Sequence, residues 1–337
     1  MRRQRFVRIR PVKFPIDVSL EDQVLVLVLH FPLNPGWITA TVAFLLGIVG
    51  MLLLMRGRGS LQGTTLTAAW GWAMVAWVSL MGCEIAIALC HEMQWPIADN
   101  HGRYLAAMSL FLPVLAQIGA KRRHLVVGQL LMVAFWLVLC IPVFRVGILD
   151  SAGKADPGWV WGSFLALLLV AELLNNLGTR FSPAAFCLAA AQGVMVYPYL
   201  PWATAEVTTG GALLAMGILL LGMGLVAFYW PVRAEAVRPE DRAWLDFRDQ
   251  FGSYWAARVM QRVNDAAVRY EWGLWLGWDG FHQVEIVGSD PEFRDEVRQG
   301  LVACLRKLLG DFVDQQWLDD RLPKGNPKKN GMEDLEA

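Results

Sequence analysis

The sequence predicts an α-helical integral membrane protein of about seven transmembrane helices, joined to a small α+β C-terminal domain made of helix, β-hairpin and helix. Three observations carry this prediction. First, 55% of the 337 residues are hydrophobic and only 18% are charged, whereas an ordinary soluble domain is roughly 45–50% apolar and about 25% charged. Second, long stretches between Pro35 and Trp230 carry almost no charge. Lipid demands this pattern, because each charge at mid-bilayer costs several kcal/mol. Third, polarity returns to ordinary values after Trp230, and the apolar residues there fall into helical and strand periods. The sixteen tryptophans agree, since Trp37, Trp95, Trp159, Trp202 and Trp230 sit at ends of apolar runs. A membrane interface favours Trp at such positions.

Residues 1–36 form an N-terminal extramembrane segment. Its basic start, MRRQRFVRIRPVKF, leads into Asp17, Glu21 and Asp22 instead of an apolar core with a cleavage site, so it does not read as a signal peptide. Gln23–Phe31 is too short to span as a helix and reads as a buried strand or an interfacial helix. The bundle then occupies residues 37–230. Seven runs are long enough to cross: Trp37–Met55, Leu66–Cys90, Tyr104–Ala120, Leu125–Val143, Trp159–Leu174, Pro183–Leu200 and Gly211–Tyr229. Ala185, Ala189 and Gly193 give the sixth a smooth face, suited to close helix packing within the monomer.

The C-terminal domain spans residues 231–322. Pro239–Tyr270 predicts one long amphipathic helix, with Trp244, Phe247, Phe251, Trp255, Val259 and Val263 at spacings of three and four. Gly273–Trp278 and Phe281–Val287 flank Asp279-Gly280, which signals a hairpin closed by a type I′ turn. A helix over Pro291–Leu309 and a shorter one around Trp317 follow, and the tail 323–337 has the composition of a disordered segment.

Orientation follows from basic residues near span ends. One face holds Arg56, Arg58, Lys121, Arg122, Arg123, Arg180, Arg233, Arg238, Arg242 and Arg248, while the other holds Arg103, Arg145 and Lys154. The first face is therefore expected in the cytoplasm, together with the C-terminal domain. The basic arm at residues 2–13 opposes an outside N-terminus, and an even number of membrane segments removes that conflict.

Candidate chemistry concentrates at residues 83–103, CEIAIALCHEMQWPIADNHGR. Glu84 lies about 9 Å inside its span by helix rise. An intramembrane carboxylate is a functional candidate by default, as a proton relay or a cation ligand. The alternative is a structural pair with Arg103, Arg145 or a histidine. His91, Glu92, Asp99 and His101 crowd one short loop and are ligand types for a divalent metal or, through the histidines, a haem iron. Against this, a loop at a membrane surface is polar because it meets water. Glu172, with Asn175 and Asn176, is placed near the inner end of the fifth span, where a side chain reaching water explains it. Arg258, Arg262 and Arg269 lie beside the aromatics of the long helix and suit either a membrane surface or a domain core with solvated heads.

Zero net charge and the absence of a basic-aromatic groove exclude nucleic acid as an expected partner. The five cysteines form no C-x-x-C pair and read as small buried residues. Walker, G-x-S-x-G, dinucleotide and kinase motifs are missing, which points away from an enzyme. DNHGRYLAAMSLFLPVLAQIGAKRR (99–123) and FRDQFGSYWAARVMQRVN with WGLWLGWDGF (within 247–281) resemble uncharacterised multi-pass membrane proteins of bacteria. That resemblance implies a bacterial inner-membrane setting and supplies neither activity nor site. The expected function is a non-enzymatic scaffold, assembly or accessory subunit, whose partners are the lipid bilayer and a protein met through the C-terminal domain. Alternatives are an ion-coupled transporter using Glu84 and a metal- or haem-binding protein using residues 83–103.

Overall fold

The computed structural model describes residues 35–94, 99–121, 125–149, 158–200, 211–229, 238–283 and 295–323. The N-terminal arm with its Gln23–Phe31 stretch, the second half of the predicted second strand, and the tail beyond 323 lie outside the described residues.

The chain is mostly helical, and every predicted apolar run contains helix. The helices are α1 (Pro35–Gly57), α2 (Thr67–Glu92), α3 (Asp99–Ser109), α4 (Leu112–Ile118), α5 (Leu125–Leu149), α6 (Gly158–Asn176), α7 (Ser182–Val196) and α8 (Gly211–Phe228). Among the described residues, four stretches are long and apolar enough to cross a membrane: Ala40–Leu61, Thr67–Glu92, Val126–Val143 and Gly158–Asn176. Their outward faces are apolar, with Val126 75%, Leu130 67% and Val160 87% exposed. Soluble proteins rarely leave so much contiguous apolar surface in water, whereas lipid solvates it.

The third predicted run is a broken helix. Pro113 stands in the first turn of α4, where it has no N–H to give and its ring disfavours helix in the preceding turn. The break frees the Leu110 carbonyl, which accepts a hydrogen bond from Gln192 Nε2 at 3.0 Å. A buried carbonyl needs such a partner. The sixth run ends early, passing from α7 into a 3₁₀ turn over Tyr197–Tyr199. The close approach predicted for its small face comes instead from its neighbour, α8. A Cβ at Gly224 would stand 3.2 Å from the Cβ of Cys187, while one at Gly193 would meet open space.

The bundle core gathers Tyr104, Met108, Leu139, Leu165 and Met195. Tyr104 carries the polar contacts there: its hydroxyl donates to the Leu139 carbonyl at 2.9 Å and accepts from Trp161 Nε1 at 2.9 Å.

The C-terminal domain consists of α9 (Pro239–Arg269), β1 (Leu274–Leu276), β2 (Phe281–Gln283), α10 (Asp295–Leu309) and α11 (Gln315–Asp319). Trp244, Phe247, Phe251, Leu276, Leu301, Leu305 and Leu309 are all buried in one core. Two expectations are corrected. The long helix does not run uninterrupted, because Gly252 has φ 77° and ψ 178° and splits it in two. The hairpin pairs antiparallel, with Leu276 opposite Phe281, so residues 277–280 form a four-residue connection where a two-residue type I′ turn was predicted. Gly280 keeps a positive φ of 140°, and a Cβ there would meet Asp241 Oδ1 at 2.7 Å. Asn264 ties the hairpin to α9, accepting from Leu276 N at 2.6 Å and donating to its carbonyl at 3.0 Å.

Candidate functional site

The domain is joined to one end of the bundle by polar contacts to three interhelical loops. After α1, Thr65 N donates to the Phe312 carbonyl at 2.9 Å, and Asp314 N donates to the Gly63 carbonyl at 2.7 Å. After α4, Lys121 Nζ pairs with Asp311 at 3.1 Å, and Trp255 Nε1 donates to the Ile118 carbonyl at 3.1 Å. After α6, Trp278 Nε1 donates to the Gly178 carbonyl at 2.8 Å, and Arg180 Nε lies 3.7 Å from Asp249.

The break at Gly252 is central to this junction. It lets the end of α6 enter the helix line of α9. Asn175 Oδ1 accepts from Tyr254 N at 3.1 Å, Ser253 Oγ donates to the Leu174 carbonyl at 3.0 Å, and Gln117 Nε2 donates to the Gln250 carbonyl at 2.9 Å. Arg258 lies over the Tyr254 ring at 4.3 Å and is exposed beside this contact. An exposed head over an aromatic ring fits both expectations for Arg258, the membrane surface and the solvated edge of a domain core.

A cavity of about 320 Å³ opens at the junction, between α2, α4, α7, α8 and the first half of α9. Trp70, Trp77, Leu188 and Phe228 make its walls apolar, while Arg180 and Gln250 stand at its polar end. Arg180 Nε and Gln250 Oε1 are buried there without a hydrogen-bond partner. The lining suits an amphipathic molecule, with its apolar part among the helices and its polar end towards the domain.

Glu84 is 3% exposed in α2 and faces Arg103 of α3. Arg103 Nε donates to Oε1 at 2.8 Å and Nη2 to Oε2 at 3.1 Å, a two-pronged fork. Such geometry holds a charged pair firmly, so the arrangement supports the structural alternative for Glu84. The crowded loop is not drawn together in the same way. His91 and Glu92 are exposed at the end of α2, and Glu92 accepts from Trp37 Nε1 at 3.5 Å. His101 is half-buried in α3, and the side chain of Asp99 lies outside the described residues. Among the described residues, no group of three or more His, Cys, Asp or Glu is placed to hold a metal ion.

Glu172 departs most from expectation. It is 2% exposed in α6 instead of reaching water, and neither carboxylate oxygen has a hydrogen-bond partner. Gln192 of α7, fully buried, is the side chain facing it, and Gln192 Oε1 is likewise without a partner. Sequence reading passed over Gln192 altogether, although a glutamine in an apolar run is itself a signal. It also passed over Gly252, whose signal is a glycine inside a helical pattern.

Burial pushes the Cys304 thiol up to about 11, so it stays neutral and unreactive. Asp279 is exposed, and its hydrogen bond with His282 holds its carboxyl below the usual range.

No family model matches the sequence, and no curated protein or solved structure matches it.

Proposed function

We propose that this is a multi-pass protein of the bacterial inner membrane that works without catalysis, as a scaffold, assembly or accessory subunit. The observation that carries the reading is the junction, where three loops of the bundle bond to the C-terminal domain. A domain held this way extends the bundle rigidly into the aqueous phase and offers its far surface to a protein partner. Its exposed segment from α9 into β1 fits that role, with Val268 81%, Tyr270 39% and Trp275 48% exposed. Exposed aromatic residues of this kind dominate binding energy at interfaces.

Seven spans complete the reading. The broken pair α3 and α4, of 11 and 7 residues, rises roughly 27 Å along its two pieces, close to a hydrocarbon core. The loops that meet the domain carry Arg58, Lys121 and Arg180, so the basic-residue rule assigns that side to the cytoplasm. A reporter that functions only in the cytoplasm is expected to be active when fused after Leu335. Activity of a periplasm-only reporter at that point would reverse the orientation.

The partner is tested by capture of the tagged full-length protein from native membranes. Trp275→Ala is expected to reduce recovery of a specific partner about tenfold or more, with stability lowered only by the lost cross-strand stacking on His282, roughly 0.2–1 kcal/mol. Identical recovery from wild type and variant would remove this surface from the proposal.

A further inference from the structure

The cavity at the junction carries an inference beyond scaffolding: we propose that it binds an acyl-chain lipid with an anionic head, the chain among the helices and the head at Arg180. Its walls of Trp70, Trp77, Leu188 and Phe228 are apolar, and its volume of about 320 Å³ falls in the range of small-ligand sites. Arg180 stands in the loop between α6 and α7, at the level where the domain meets the bundle. Trp77 lies seven residues further along α2 than Trp70, about 10 Å deeper by helix rise. The cavity therefore runs from a loop at the bundle's end into the space between helices, which is the shape that a head and a chain require.

The charge at the polar end calls for an anion, because three arginines there share two aspartates. Arg248 donates to Asp249 Oδ1 at 2.7 and 3.0 Å, and Arg321 donates to Asp246 Oδ2 at 2.9 Å. Arg180 comes third. Its guanidinium reaches Asp249 Oδ2 only at 3.7 Å and Asp246 Oδ1 only at 4.0 Å, and its Nε has no hydrogen-bond partner. Asp249 also lines the cavity, but its Oδ1 is occupied by Arg248 and by Arg180 N at 3.3 Å. The group thus carries one positive charge more than its aspartates cancel, and the least engaged arginine is the one that lines the cavity. A carboxylate or phosphate head supplies the missing charge, and the planar arginine fork matches the oxygens of either.

The test is photolabelling of the full-length protein in phosphatidylcholine nanodiscs, with labelled residues located by mass spectrometry. Three probes carry the same diazirine acyl chain: palmitic acid, phosphatidylglycerol and phosphatidylcholine. Trp70, Trp77 and Leu188 line the cavity and are buried or half-buried, whereas Val126 and Leu130 are exposed on the outside of the bundle. The ratio of label on the first set to label on the second therefore separates cavity from bilayer. The expected ratio is about tenfold higher for an anionic probe than for phosphatidylcholine. Enrichment with palmitic acid identifies a fatty acid as the occupant, and enrichment with phosphatidylglycerol an anionic phospholipid. Arg180→Gln should bring the enriched probe down to the phosphatidylcholine ratio. Because Arg180 also fastens the domain, Ala73→Leu is the second variant. It fills the cavity from α2, away from the bonds of the junction, and should likewise remove the enrichment. Equal ratios for all three probes would overturn the proposal, as would enrichment that persists in either variant when folded.

Discussion

Gly252→Val is expected to undock the C-terminal domain from the bundle. The backbone at this position has φ 77°, and a Cβ would stand 2.7 Å from the Asn175 carbonyl oxygen and 2.6 Å from Asn175 Nδ2. A β-branched residue held at positive φ costs about 1–3 kcal/mol, and the collision with backbone adds a comparable amount. Relief by straightening the helix would break the hydrogen bonds of Ser253 and Tyr254 to Leu174 and Asn175, each contributing about 1 kcal/mol. A combined loss of about 4 kcal/mol is therefore expected. It should appear as a lowered melting temperature in detergent and as faster proteolytic release of the domain. Gly59→Ala, at a glycine with open space around it, is the control and should change neither. A Gly252→Val protein that melts and resists protease like wild type would show that the junction does not hold the domain.

Arg103→Ala should be nearly as damaging, for an electrostatic reason. Glu84 has 4% of its side chain exposed, and the fork from Arg103 is what compensates its charge. Removing one partner of a buried pair costs about 3–5 kcal/mol, because the other charge is left unpaired. Glu84→Gln leaves the better-exposed arginine without its counter-ion and should cost less. The double variant Glu84→Gln/Arg103→Ala should recover much of the loss, since neither charge is then left unpaired. Melting temperatures of the four proteins give the coupling directly. Additive effects within about 0.5 kcal/mol would deny any coupling between the two residues.

The apolar runs were legible because lipid constrains composition so strongly that burial need not be known. Their continuity was less legible. The third run breaks beside Pro113, and what makes the break tolerable is Gln192, 82 residues away from the carbonyl it satisfies. In α9 the spacing of Trp244, Phe247, Phe251 and Trp255 continues across Gly252 because both halves bury residues in one core. A periodic pattern therefore registers the shared face and misses the break. The Glu84–Arg103 pair was among the sequence alternatives, since both residues stood near the same end of neighbouring helices. Glu172 was misread because sequence placed it where water was expected. Glu172 turns instead towards α7, where the fully buried Gln192 faces it, so a position near a helix terminus is interior. Only tertiary structure contains that information.

The junction also has a consequence in time. Arg180 and Lys121, at the ends of bundle helices, pair with Asp249 and Asp311, which are synthesised later because they lie in the last third of the chain. While the helices enter the membrane, these two aspartates are not yet made, and in the proposed orientation the cations act as retention signals on the side where the ribosome works. Once the final residues emerge, the same charges become the fastening points of the domain. On that proposed orientation each cation serves first to direct biosynthesis and then to close the finished molecule, and folding of the domain covers the signals that oriented it.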